Sequence, residues 1–162
     1  MIKDSGERRE FETGAVRDIA DGKGRCDLLP LGIVARLLSA ERVLNNATEL
    51  YWLNSFLESG STTYVLNAIA DFCRRRGWDA YTAMLEVSIH YEEGAKKYSE
   101  RNWQKGIPAH CFLDSGIRHF LKWMRGDTDE AHDRAFIWNM LGLIWTIENR
   151  PELNDLPEKV VE

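Results

Sequence analysis

The sequence predicts an all-α protein, a bundle of about five helices behind an ordered but irregular N-terminal arm. Three observations carry this prediction. No stretch alternates apolar and polar residues as a half-buried strand does. From Pro30 onward, apolar residues recur at i, i+3, i+4 and i+7. The breaks between these periodic stretches fall on glycine and on helix-capping residues.

Residues 1–28 hold Gly6, Gly14, Gly22 and Gly24 among charges and show no sustained period, which predicts irregular structure. Phe11, Val16, Ile19 and Leu28 are apolar anchors able to dock this arm on a domain of residues 29–150. Pro30 suits a first helical turn, followed by Leu31, Val34, Leu37, Leu38 and Val43 on one face. A second helix carries Leu50, Trp52, Leu53, Phe56 and Leu57 and stops before Gly60. Ser61, Thr62 and Thr63 offer an N-cap for a third, with Val65, Ala68, Ile69 and Phe72 inward. Arg74–Arg76 and Gly77 end it, with cations at the negative end of the helix dipole.

Asp79 caps the next helix, over residues 80–99, with Met84, Leu85, Ser88 and Tyr91 expected inward and Gly94 expected to mark close packing. Residues 102–108 read as a loop. Leu113, Ile117, Phe120, Leu121 and Met124 define a helix that Gly126 stops. Asp127 or Asp129 caps a last long helix that includes Glu130, reaches Glu148 and closes at Pro151. Residues 151–162 form an acidic tail expected to fray.

The totals bound the function. A chain of 162 residues builds a core without staples. Its net charge of −5 argues against a nucleic-acid polymer as partner and leaves a small anionic ligand open. Cys26, Cys73 and Cys111 are odd in number and widely spaced, so they read as reduced thiols rather than as a disulfide or zinc framework. The N-terminus is too charged for a signal peptide. No apolar run reaches the ~18–20 residues needed to cross a bilayer. The expectation is a cytoplasmic protein with no membrane partner.

Candidate chemistry concentrates between Gly94 and Asn139, which hold three of the four histidines and three of the six tryptophans. Glu130 and Asp133, at i, i+3, can converge on a metal with His132 between them, or simply favour a helix dipole. Glu86, His90 and Glu93 share a helical face, and two such facing helices would suit magnesium. His110 with Asp114, and Ser115 with His119, are i, i+4 pairs that orient an imidazole, yet no nucleophile elbow accompanies them. Tyr98, Arg101, Asn102 and Trp103, following Lys96 and Lys97, offer an aromatic ring, an amide and cations to a nucleotide. Arg17, Lys23 and Arg25 sit beside glycines whose amides, with those cations, can hold phosphate oxygens. The common phosphate loops are absent from the sequence.

The stretches GAVRDIADGKGRCDLLP, GAKKYSERNWQKGIP and SGIRHFLKWMRGDTDEAHDRAFIWN resemble the small phage-encoded dATP/dGTP diphosphohydrolase N-terminal domain family. Residues 40–82 carry none of the resemblance. Membership implies an all-α fold similar to MazG-type pyrophosphohydrolases, which split a nucleoside triphosphate into monophosphate and pyrophosphate with magnesium held by acidic residues of two helices. Glu130-Ala-His-Asp133 matches one half of the usual ExxE and ExxD pair; Glu92 and Glu93 are adjacent, so the other half is unmatched. On this basis Glu93, Glu130 and Asp133 would hold Mg2+, and Glu130, Asp133 and His132 would be catalytic. Arg17, Lys23, Arg25, Lys97 and Arg101 would neutralise phosphates, Tyr98 or Trp103 would stack the base, Asn102 or Asn139 would contact base or sugar, and Arg118 with His119 would orient the substrate. The resemblance also implies a homo-oligomer in a host-cell cytoplasm. The alternative is a non-catalytic sponge that sequesters a nucleotide second messenger of anti-phage defence.

Overall fold

The computed structural model describes residues 6–19, 23–31, 33 and 47–157. The helix expected from Pro30 lies largely outside them, although Leu31 at its start is buried. Five α-helices occur among the described residues: α1 (Thr48–Ser59), α2 (Thr62–Arg76), α3 (Ala80–Lys97), α4 (Ala109–Arg125) and α5 (His132–Asn149). The all-α bundle is therefore the observed fold. None of these helices is long and apolar enough to cross a membrane.

The arm is more regular than its glycines suggested. Arg8–Glu10 (β1) and Val16–Asp18 (β2) pair antiparallel, with Arg9 opposite Arg17. Three residues per strand are too few for alternation to show in the sequence. What holds the hairpin is a tight turn, in which the Gly14 amide donates to Phe11 O at 2.8 Å, together with its tertiary contacts.

α4 and α5 pack along one another at the centre, and α5 also touches α2 and α3. Phe72, Phe120 and Phe136 are fully buried and meet at centroid distances of 4.6–6.2 Å, tying α2, α4 and α5 together. Gly142 of α5 has its reason here: a Cβ would run into the Phe112 ring of α4. α4 ends where its sequence said, at Gly126, whose φ of 91° caps the helix in the left-handed region.

Several local expectations fail, each for a physical reason. α3 buries Ala83, Val87 and His90 and exposes Leu85 and Met84, so its inward face is rotated from the expected one. His90 and Tyr91 meet Trp138 of α5 at ring-centroid distances of 5.7 and 6.0 Å, which sets this face inward. Gly94 is not closely packed, since a Cβ there meets nothing within 4 Å. Asp79 caps α3 through the Thr82 amide as expected, whereas Ser61 makes no side-chain cap to α2. α5 begins only at His132 with Ala131 as N-cap, so Glu130 precedes the helix. Asp127 and Asp129 do not cap it because they bind Arg125 and His132 instead.

Candidate functional site

The hairpin, α3, the 3-10 turn Asn102–Lys105, α4 and α5 together enclose an open cleft of about 1360 Å³. Its position follows from how the arm is fastened. Asn102, buried at the turn, accepts from the Val16 amide at 3.0 Å and donates to Val16 O at 2.9 Å, joining β2 like an extra strand residue. Lys97 and Tyr98 both donate to the Asp18 carboxylate, at 2.8 and 3.0 Å. Arg118 donates to the carbonyls of Lys23 and Gly24 and pairs with Asp114, which also accepts from the Cys26 amide. Four residues expected on the ligand thus hold the arm.

Arg17 projects from β2 into this cleft. Its Nη2 donates to the Asn139 side-chain oxygen at 3.0 Å, and the Asn139 amide nitrogen donates to Ala135 O, fixing that oxygen toward the arginine. The guanidinium lies 5.3 Å from the Phe112 ring centroid and 5.7 Å from that of Trp138. Nη1 is buried without a hydrogen-bond partner, and Arg17 has no ion pair among the described residues. Burial lowers its pKa from the ordinary arginine value. Lys23 also lines the cleft, and its pKa is lowered by desolvation. Arg25 lines the cleft too but is committed to Asp27 through two hydrogen bonds at 2.7 and 2.5 Å. Arg101 lines the rim in a left-handed conformation with φ of 54°.

The apolar walls are Tyr91, Trp103 and Trp138. Trp103 meets Trp145 and Tyr91 edge-on at 5.0 and 5.9 Å, which leaves one flank on the cleft. His90 also lines it, and burial pushes its pKa down to about 4, so it is neutral at pH 7.

The acidic residues divide. Glu93 and Glu130 both line the cleft. Asp133 faces a smaller pocket on the other side and pairs with Arg76 at 2.8 Å. Glu93, Glu130 and Asp133 are accordingly absent as a set from the side chains whose ligand atoms converge within 4.8 Å. The two sets that do converge among the described residues are His119, Glu130 and His132, and Asp127, Asp129 and His132. His119 Nδ1 lies 2.8 Å from His132 Nδ1, and His132 Nε2 lies 2.8 Å from Asp129 Oδ1. Burial, then the neighbouring His132, pushes the His119 pKa well below its ordinary value.

Sequence spacing missed one constellation on the cleft wall. His110 pairs with Asp155 rather than with Asp114, whose carboxylate is taken by Arg118 and the Cys26 amide. Cys111 Sγ sits 3.0 Å from Arg9 Nη2 and 3.4 Å from His110 Nε2. Hydrogen bonds to Cys111 and then Asp155, against burial, raise the His110 pKa to about 9. Asp155 is 45 residues away from His110, a separation that no local pattern reveals.

No curated protein and no solved structure matches the chain. A family model described as dATP/dGTP diphosphohydrolase, N-terminal, matches residues 78–156, which include Trp103, Arg118, His119, Glu130, His132 and Asn139. Over that span, from α3 through α5, the chain is similar to the dATP/dGTP diphosphohydrolase N-terminal family.

Proposed function

We propose that the cleft binds a purine (deoxy)nucleoside triphosphate and hydrolyses it to monophosphate and pyrophosphate. The observation that carries this reading is Arg17: a guanidinium on an open cleft, with one buried nitrogen that lacks a hydrogen-bond partner and no ion pair among the described residues. A buried donor left without an acceptor costs about 1–3 kcal/mol, and a phosphate oxygen entering the cleft removes that cost. The family description supports the same ligand class.

In this reading the phosphates lie between Arg17 and Lys23, and the base lies against the flank of Trp103 or Trp138. Water attacks the α-phosphorus, the bond to the bridging oxygen breaks, and pyrophosphate leaves. Glu93, on the cleft wall, is the carboxylate that takes the proton from the water. Asn102, Arg118, Lys97 and Tyr98 act by holding the arm that presents Arg17. Magnesium, the ion the resemblance implies, favours an all-oxygen shell. The converging set on this cleft supplies two ring nitrogens and one carboxylate and does not match that composition.

The test is pyrophosphate release from each deoxynucleoside triphosphate, with Mg2+ or Mn2+, by the wild type and Arg17→Ala. Release from dATP or dGTP that Arg17→Ala reduces at least ~10-fold is expected. Tight calorimetric binding of a nucleotide with no release from any triphosphate would defeat the hydrolase and leave the sequestering sponge.

A further inference from the structure

We infer that His119, Glu130 and His132 form a binding site for a first-row transition-metal dication of the Mn2+, Co2+ or Zn2+ class, opening on the nucleotide cleft. The first argument is the direction of the ring nitrogens. His119 of α4 and His132 at the first turn of α5 turn their Nδ1 atoms toward one another at 2.8 Å, with a Glu130 oxygen inside the same 4.8 Å sphere. Two nitrogen ligands at ~2.0–2.1 Å from a tetrahedral ion lie about 3.3 Å apart. The pair therefore needs to open by about half an ångström, within reach of small side-chain rotations.

The second argument is the outer hydrogen bond. His132 Nε2 donates to Asp129, which leaves the lone pair on Nδ1 and fixes the plane of the ring. A carboxylate behind an imidazole in this way is the usual support of a metal-bound histidine. Lys122 lies 3.9 Å from the other oxygen of the same carboxylate, Oδ2. His132 is fully buried at its side chain, so the site is held rigidly rather than presented on a mobile surface.

The third argument is access. His119 and Glu130 line the cleft, and Glu130 and His132 line the smaller pocket behind it. Three protein ligands at such a junction leave coordination positions open to the cleft, the arrangement of a catalytic rather than a structural site. Two imidazoles and one carboxylate suit transition ions and discriminate against magnesium, which prefers oxygen.

The inference extends the hydrolase reading, yet its test needs no nucleotide. The full chain is titrated with Co2+ and Zn2+, followed by calorimetry and by the visible d–d bands of Co2+. One ion per chain is expected, with bands in the range of low-coordinate nitrogen and oxygen ligation, undiminished by millimolar Mg2+. His119→Ala and Glu130→Gln are expected to weaken binding at least ~10-fold, and Asp129→Asn by ~10–100-fold as an outer-shell partner. His119 and Glu130 are only half-buried, so these variants fold even if His132→Ala does not. No binding, binding that these substitutions leave intact, or displacement by Mg2+ would overturn the site. If Co2+ binds as described and no triphosphate is hydrolysed, the site stands and the hydrolase reading fails. If a triphosphate is hydrolysed with Mg2+ and neither Co2+ nor Zn2+ binds, the hydrolase reading stands and the site is overturned.

Discussion

Arg17 and Asn139 meet across 122 residues of sequence, the guanidinium donating to the amide oxygen at 3.0 Å at the floor of the cleft. The amide does not neutralise the charge. It only aims it. Arg17→Ala is therefore expected to weaken nucleotide binding by about 10- to 100-fold, the range of a charge-assisted hydrogen bond of ~1.5–3 kcal/mol. Arg17→Lys is expected to recover only part of this, since one ammonium cannot serve Asn139 and a phosphate in one plane. Asn139→Ala is expected to cost less than Arg17→Ala. Calorimetry with a non-hydrolysable triphosphate measures all three, and equal affinity of Arg17→Ala and the wild type would refute the assignment.

Asn102 predicts a different phenotype. It contributes two hydrogen bonds to Val16 and contacts the arm rather than the ligand. Asn102→Ala is expected to loosen the hairpin by about 1–3 kcal/mol, because both backbone groups of Val16 lose their partner. Amide exchange at Val16 should accelerate, and nucleotide affinity should fall while the helical core keeps its protection. An unchanged exchange rate at Val16 would show that the arm is held elsewhere.

His110 makes a pH prediction. Its folded pKa of about 9 lies above the ordinary 6.5, so its contribution to stability is fully present below about pH 6.5. That contribution is lost as pH rises from there through about 9. The groups facing the ring are Cys111, the Asp155 carboxylate and, through Cys111, Arg9. The ring is partly exposed, so solvent screens the effect. The wild type should lose melting temperature between pH 6.5 and 9.5 relative to His110→Gln, and parallel curves for the two would be the contrary result.

Glu49 and Arg75 tie α1 to α2 through hydrogen bonds of 2.7 and 2.9 Å, with the carboxylate fully buried. Arg75→Ala strands that carboxylate and is expected to destabilise the fold by ~3–5 kcal/mol. The double variant Glu49→Leu, Arg75→Leu should recover most of the loss, because two apolar side chains carry no desolvation cost. Urea denaturation measures both, and additive losses would contradict the pairing.

The helices were legible because each carries its own instructions. Gly77 and Gly126 follow basic last turns, Asp79 sits one residue before α3, and apolar spacing marks α2 and α4. Helix facing was less legible where the pattern is ambiguous. In α3 the choice between burying Ala83 and Val87 or Met84 and Leu85 depends on how closely α5 approaches, and a neighbour's distance is not written in local sequence. The β1–β2 hairpin escaped notice for a related reason, since its strands owe their order to Asn102, Lys97 and Tyr98.

The site shows the same division. Residue types and their clustering are written along the chain: the cations of the arm, the aromatic and amide residues after α3, and the histidines and carboxylates between α4 and α5. Their partners come from the packing of distant elements. It set Asp133 against Arg76, His110 against Asp155 and His119 against His132, and it buried one Arg17 nitrogen without a hydrogen-bond partner. The physical reason is that helical spacing constrains neighbours three and four residues apart, whereas the energy of a buried charge depends on which distant group reaches it first.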